Sequence, residues 1–345
     1  MTDDTRHKRL PVGKLPIEHL RSFLTHLSPP DPRLVVGPRI GEDAAVVDAG
    51  DRYLVVSTDP ITFATDRIGW YAVHINANDV AVMGARPLWF SVVVLLPEDR
   101  ATSQMFEAIM QDVTLACGEL GVTLCGGHTE ITSGLDRPIV VGQMIGEVEP
   151  ARLVRKDRIQ LGDHILLTSG IAIEGTAILA RERSERLRAR IDANLLARAE
   201  RLLVDPGISV VRAALTAADA GDVVHAMHDP TEGGLASGLS ELVASSGFGV
   251  RVQRERIHVL PETAAISTVL GLDPLNLLAS GALLIAVAPE ATEVLIAGLH
   301  AKSVDAAMIG EIRPAMEGLT ISEGGRVTPL DVRDRDEIAR AWDED

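Results

Sequence analysis

The chain has 345 residues, 46% of them apolar and 24% charged, and 49 acidic against 33 basic side chains leave a formal net charge of −16. At about 150 residues per domain this length suggests two domains, and the composition excludes a disordered or fibrous chain. The acid excess argues against a nucleic-acid or anionic-membrane surface, though not against an anion held through metal ions.

Only 5 Phe, 3 Trp and 2 Tyr are present, so the core must be built from Ala, Val, Leu and Ile. Two cysteines, Cys117 and Cys125, are too few for a disulfide framework or a four-thiolate zinc site and read as reduced, packed thiols. The polar stretch 1–9 has no apolar leader, and the longest uncharged run, 274–289, falls short of the ~20 apolar residues of a membrane span. A soluble, cytoplasmic protein is expected.

In chain order, residues 43–48 and 53–57 read as short strands separated by the turn Asp48-Ala49-Gly50-Asp51. Residues 69–83 are long and Ala-rich enough for a helix. The run 89–96 reads as a buried strand ended by Pro97, 105–120 as an amphipathic helix, and 122–125 and 139–148 as strands. Strands with about two covering helices make an α+β layer arrangement. Charge rises over 149–162 (Arg152, Arg155, Lys156, Asp157, Arg158), which divides the chain into domains 1–152 and 153–345. Beyond it, 164–168, 282–288 and 306–312 read as strands, and 231–245 and 290–300 as helices. The Arg-rich segment 181–201 interleaves opposite charges at helical spacing and reads as a solvated helical excursion rather than an anion-binding arm. From Asp331 onward the tail is mostly charged.

There is no G-x-x-x-x-G-K-[ST], G-x-G-x-x-G, H-E-x-x-H, C-x-x-C or G-x-S-x-G, so neither a P-loop nor a Rossmann fingerprint is supported. What stands out instead is acidic and amide side chains set in apolar surroundings. Asp43 precedes a buried-looking strand and Asp59 follows one. Asn76, Asn78 and Asp79 interrupt an apolar helix, with Asn76 and Asp79 on one face. Glu130 and Asp229 follow strands in Gly126-Gly127-His128-Thr129-Glu130 and His228-Asp229-Pro230-Thr231-Glu232-Gly233-Gly234. Singly, each has an ordinary explanation: a turn cap for Asp43, a strand end for Asp59, an ion pair with Arg86 for Asp79, a helix cap for Asp229 or Thr231. Together they are a set of hard oxygen donors that suits Mg²⁺ rather than Zn²⁺. The pairs Gly126-Gly127 and Gly233-Gly234 permit close backbone approach to a phosphate, the second at a helix N-terminus. Spacing alone leads to a Mg-polyphosphate site.

These residues also carry a resemblance covering nearly the whole chain. The series GEDAAVVD (41–48), STDPI (57–61), NDVAVMGARP (78–87), GGHTEIT (126–132), HDPTEGGLAS (228–237) and GLDPLNLLASG (271–281) resembles the aminoimidazole-ribonucleotide (AIR) synthetase-like superfamily. Within it, similarity is greatest to the hydrogenase-maturation factor HypE and to AIR-synthase-related proteins of unassigned substrate. The resemblance implies a two-domain AIR-synthase-like fold, in which an α+β N-terminal domain pairs with a second copy into a joint β-barrel and a C-terminal α/β domain packs on it. It implies ATP in the cleft, Mg²⁺ held by Asp43, Asp59, Asp79 and Asp229, and nucleotide or phosphate contacts from Asn78, Gly126, Gly127, Thr231, Gly233 and Gly234. Lys14 and His128 take catalytic roles on this basis. Glu130 joins the metal set, although GGHTE in place of GDT leaves the ligand choice between His128 and Glu130 open.

The implied chemistry is ATP- and Mg²⁺-dependent phosphoryl transfer to a small molecule by a homodimer. The alternatives are a nucleotide-binding maturation or scaffold protein that acts on a partner protein without turnover, and a thiamine-monophosphate kinase. HypE relatives end in a cysteine that receives a carbamoyl group; this sequence ends Ala341-Trp342-Asp343-Glu344-Asp345, and Glu232 stands where DPTRGG has a basic residue. Maturation by that route is therefore not expected. The Cys- or Sec-containing loop of selenophosphate synthetases is absent, as is the His-Phe pair of thiamine-monophosphate kinases within 62–70.

Overall fold

The computed structural model describes residues 10, 13–15, 17–24, 26–27, 31–62 and 66–342. The polar stretch 1–9, residues 63–65 and the last three residues of the charged tail lie outside the described residues. The first half runs α1 (Ile17–Leu24), β1 (Leu34–Val36), β2 (Ala45–Asp48), β3 (Tyr53–Ile61), α2 (Ile68–Val82), β4 (Arg86–Pro97), α3 (Ser103–Leu120), β5 (Thr123–Thr132) and β6 (Ile139–Val148). The second half runs β7 (His164–Thr168), α4 (Ile173–Glu182), α5 (Ser184–Arg188), α6 (Ala193–Arg201), α7 (Val211–Ala218), β8 (Val224–His228), α8 (Gly234–Val243), β9 (Gly249–Gln253), α9 (Pro261–Leu270), β10 (Leu284–Val287), α10 (Thr292–Ala301), β11 (Ala306–Arg313), β12 (Leu319–Glu323), β13 (Arg326–Pro329) and α11 (Glu337–Arg340).

Each half has its own sheet, ordered β1-β2-β3-β6-β4-β5 and β13-β12-β9-β11-β7-β10-β8, and the chain changes sheet between Val148 and His164. Only β4–β5 in the first sheet and β9–β12 in the second are parallel pairs. This is the mixed α+β arrangement expected. The first sheet is open rather than a closed barrel, with β5 at its edge and exposed along nearly its whole length.

Two strands run further than local signals suggest. β3 continues through Asp59 and Pro60 to Ile61 because β6 pairs with it over nine residues, so Asp59 lies inside a strand rather than after one. Pro60 is tolerated because β2 reaches only as far as Val56, leaving the other edge of β3 unpaired there. β5 continues through Gly126-Gly127-His128-Thr129-Glu130, a segment expected to follow the strand rather than belong to it. The β4–β5 register shifts at Phe90/Ser91, and a Cβ on Gly127 (φ +153°) would lie 2.1 Å from the Val92 carbonyl oxygen. Close strand approach, rather than a phosphate, accounts for that glycine.

Helix α2 is the wall between the halves. All fifteen of its residues are buried, as a helix apolar on every side requires. One side meets β3, β6 and α3, and another meets α7 and β8. Its polar residues therefore need internal partners. Asn78 Nδ2 donates to the Ile208 carbonyl (2.8 Å), and the Val210 amide donates to Asn78 Oδ1 (2.9 Å). Asn78 is thus spent joining the two halves rather than contacting a nucleotide.

The Arg-rich segment is helical, as expected, and is tied down at Arg198–Glu262 (2.6 Å) and Arg181–Asp66 (2.5 Å). The charged tail is not a solvated run. Ile338 and Glu337 are fully buried, Glu337 accepts from Arg333 and Arg340, and Arg183 lies 4.7 Å over the Trp342 ring. Replacement of Asn78 by Ala would strand the Ile208 carbonyl and the Val210 amide in the core. The expected loss is about 2–4 kcal/mol of unfolding free energy in a denaturant titration; a loss below ~0.5 kcal/mol would contradict this role.

Candidate functional site

A cavity of about 710 Å³ opens between the halves, well within the size range of small-ligand sites. Its wall from the first half carries Asp43, Asp59 and Asp79; that from the second carries Asp229, Thr231 and Glu174. The backbone at Asp59 is clamped by Asn76, whose Oδ1 accepts from the Asp59 amide (2.9 Å) and whose Nδ2 donates to the Asp59 carbonyl (3.3 Å). Ser57 Oγ donates to Asp79 Oδ2 at 2.5 Å. Arg86, the partner considered for Asp79 in the sequence, is not its partner here.

Asp229 is 1% exposed, and neither of its carboxylate oxygens has a hydrogen-bond partner. Burial pushes the Asp79 carboxyl well above the ordinary range, and the charges of Asp229 and Asp59 push it further. Asp229 is raised in the same way, by burial first and by the Asp43 charge second. Asp59 and Asp79 crowd against Asp229, whose two oxygens are unpartnered, and a divalent cation would supply the positive charge that offsets them. The donor set of hard oxygens fits Mg²⁺, with Asp59, Asp79 and Asp229 as the residues that would hold it.

Asp43 is already occupied. Lys156 Nζ lies 2.7 Å from Asp43 Oδ2, and His228 Nδ1 lies 2.7 Å from Asp43 Oδ1. His228 Nε2 is 2.9 Å from Glu241 Oε2, and Glu241 in turn accepts from Lys14 Nζ at 3.1 Å. Burial alone would raise Asp43, but His228 and Lys156 outweigh it and hold the carboxyl below its usual value. Burial likewise opposes the ionised form of Glu241, yet the hydrogen bond to His228 and the nearby Lys14 bring it down to about 2. The Lys14 amide also donates to Glu232 Oε2 (2.9 Å), so Lys14 sits at the cavity mouth between two carboxylates.

Of the residues singled out in the sequence, Lys14, Asp43, Asp59, Asp79, Asp229 and Thr231 line this cavity. Gly126, Gly127, His128 and Glu130 do not. They lie on the exposed edge strand β5, where His128 and Glu130 pair with each other at 3.5 Å, both side chains more than half exposed. Gly233 and Gly234 are also spent internally. The Gly233 amide donates to Asp336 Oδ2 (2.6 Å), placing the chain's own carboxylate where a phosphate was expected. A Cβ on Gly234 would meet the Leu275 carbonyl at 2.6 Å, so packing against the 275–277 turn accounts for that glycine.

Glu174, Glu241, Lys156 and Asp336 were not singled out. Glu174 had no motif around it, and Lys156 was hidden in a charged linker. A question about which cation answers the buried acids would have led to Lys156.

Fold and site together define a two-domain AIR-synthase-like protein. The chain belongs to the family of AIR synthase related proteins: the N-terminal domain of that family matches residues 41–148 and the C-terminal domain residues 160–320. It is 30% identical to a putative hydrogenase expression/formation protein of Methanocaldococcus jannaschii, over 85% of this chain and 86% of that one. It is also 30% identical to the carbamoyl dehydratase HypE of Rhizobium leguminosarum, over 79% of this chain and 77% of the relative. A crystal structure of the hydrogenase maturation protein HypE in complex with ATP superposes with a TM-score of 0.70 at 26% identity, covering 95% of this chain and 97% of that one. No described helix is long and apolar enough to cross a membrane.

Burial pushes the Glu174 carboxyl up to about 7, against the opposing effect of the Ser280 hydroxyl. The folded state then disfavours the charged form. That cost is absent below the unfolded value near 4.5, grows through the interval up to about 7, and is complete above it. Replacing Glu174 with Gln is therefore expected to stabilise the protein by on the order of 3 kcal/mol at pH 8 and by little at pH 5. Thermal melting at the two pH values checks this.

Proposed function

We propose that the chain binds Mg-ATP in this cavity and transfers the γ-phosphoryl group to a small-molecule acceptor. The observation that carries the proposal is the buried, unpartnered carboxylate of Asp229 beside Asp79 and Asp59 in a nucleotide-sized cavity. The similarity to a HypE solved with ATP supports it.

Asp59, Asp79 and Asp229 are the proposed ligands of Mg²⁺, which when bound neutralises phosphate charge and orients the triphosphate. Lys14, held by Glu241 and Glu232, brings an ammonium to the cavity mouth, where charge builds on a transferred phosphoryl group. Catalysis of this kind rests on positioning and charge neutralisation, which the buried walls supply by excluding water. The acceptor is a separate molecule in this reading, since Cys117 is buried in α3, Cys125 is exposed on β5, and neither lines the cavity.

The exposed β5 edge, with Leu124 and Ile131 open to solvent, is where a second copy would complete a joint barrel. In such a homodimer His128 and Glu130 would lie at the seam rather than in the cavity of their own chain. The protein acts, in this reading, in the cytoplasm.

Asp229→Asn and Asp79→Asn are expected to weaken Mg-ATP binding at least tenfold in calorimetry, about 1.4 kcal/mol, while the fold is retained. Unchanged binding in both variants would overturn the proposal. In the wild type, ADP release with some member of a metabolite panel is expected. Tight binding with no ADP release would favour the maturation-protein reading instead.

A further inference from the structure

Lys156 stands in a short 3₁₀ turn, Lys156–Arg158, and is 2% exposed. A lysine this deep keeps its charge only where anions or lone pairs surround it. Its ammonium donates to the Gly41 carbonyl, contacts Asp43 Oδ2 at 2.7 Å and lies 2.9 Å from His228 Nδ1. Those are the donors a metal ion would use. Asp43, His228 and Asp229 can each offer one ligand atom, all within 4.8 Å of one another.

The two ends of this cluster differ. Asp43 has a cationic or imidazole nitrogen at 2.7 Å from each oxygen, Lys156 Nζ in an ion pair with Oδ2 and His228 Nδ1 hydrogen-bonded to Oδ1, whereas neither Asp229 oxygen has a hydrogen-bond partner. A divalent ion bound to Asp43 would sit against the ammonium, and like charges at such separation repel strongly in a buried setting.

We propose that Lys156 is a resident cation that fills the Asp43–His228 end of the acidic cluster. The divalent-ion site is then Asp59, Asp79 and Asp229, and Asp43 is a positioning residue that anchors Lys156 and His228 rather than a metal ligand. The inference rests on the metal-site reading above and revises the ligand set that the sequence suggests. Removing the ammonium while leaving the acids in place creates a second metal position, with His228 as a nitrogen ligand. Imidazole with carboxylates suits Co²⁺ and Zn²⁺ better than Mg²⁺.

Co²⁺ is the probe, with stoichiometry read by equilibrium dialysis and the ligand set by visible absorption. The wild type and Lys156→Arg are expected to bind one ion per chain with an all-oxygen spectrum. Lys156→Gln and Lys156→Met are expected to bind one ion more, with the added absorption of a nitrogen-ligated ion. They should also melt below the wild type without metal and recover most of that loss in excess Co²⁺.

An unchanged stoichiometry in both neutral variants would overturn the proposal, as would a nitrogen-ligated second ion in the wild type. Failure of both variants to fold even with Co²⁺ would overturn it too, since the metal must be able to replace the ammonium. A wild type that binds no ion, beside variants that bind one, would defeat the Asp59–Asp79–Asp229 site and leave the role of Lys156 standing.

Discussion

A helix with water on no side cannot leave its polar groups unanswered, and α2 is such a helix. Its two asparagines find backbone partners, one clamping Asp59 and the other reaching across to Ile208 and Val210. Asp79 has the Ser57 hydroxyl and the carboxyl groups of Asp229, Asp59 and Asp43 near it. Buried negative charge is thereby concentrated where the two halves of the chain part. The cavity lies at that point, and its enclosed carboxyl groups are costly unless a positive charge answers them.

Local pattern carried much of this. The long Ala-rich stretch 69–83 and the apolar runs 89–96 and 139–148 are local signals, and they are readable without any contact being known. The carboxylates at 43, 59, 79 and 229 stood out because acids rarely sit inside apolar elements. What stayed hidden depends on distant partners. The Gly126-Gly127 pair reads as punctuation, yet β4 draws it into a strand. The amide of Gly233 looks free for an anion until Asp336, 103 residues away, takes it. Lys156 lies among charged neighbours that reach solvent, and only its fold-mediated approach to Gly41 and Asp43 separates it from them.

The strong acid excess therefore has two parts with different physics. Exposed acids keep the surface negative and are screened by salt. The enclosed ones are screened far less; Asp43 is matched by Lys156 and His228 and Glu241 by His228 and Lys14, while the Asp229 oxygens have no partner. Net charge describes the first population and is silent about the second.

Asp336 has a consequence for the order of events in synthesis. Its carboxylate holds the Gly233 amide and the Leu278 amide together, and these belong to two loops that border the cavity. A ribosome finishes both loops well before it reaches residue 336. Until then that wall has no clasp, and the cavity takes its final shape only after the C-terminal segment emerges and docks. Nascent chains would pass through most of translation before this clasp can close.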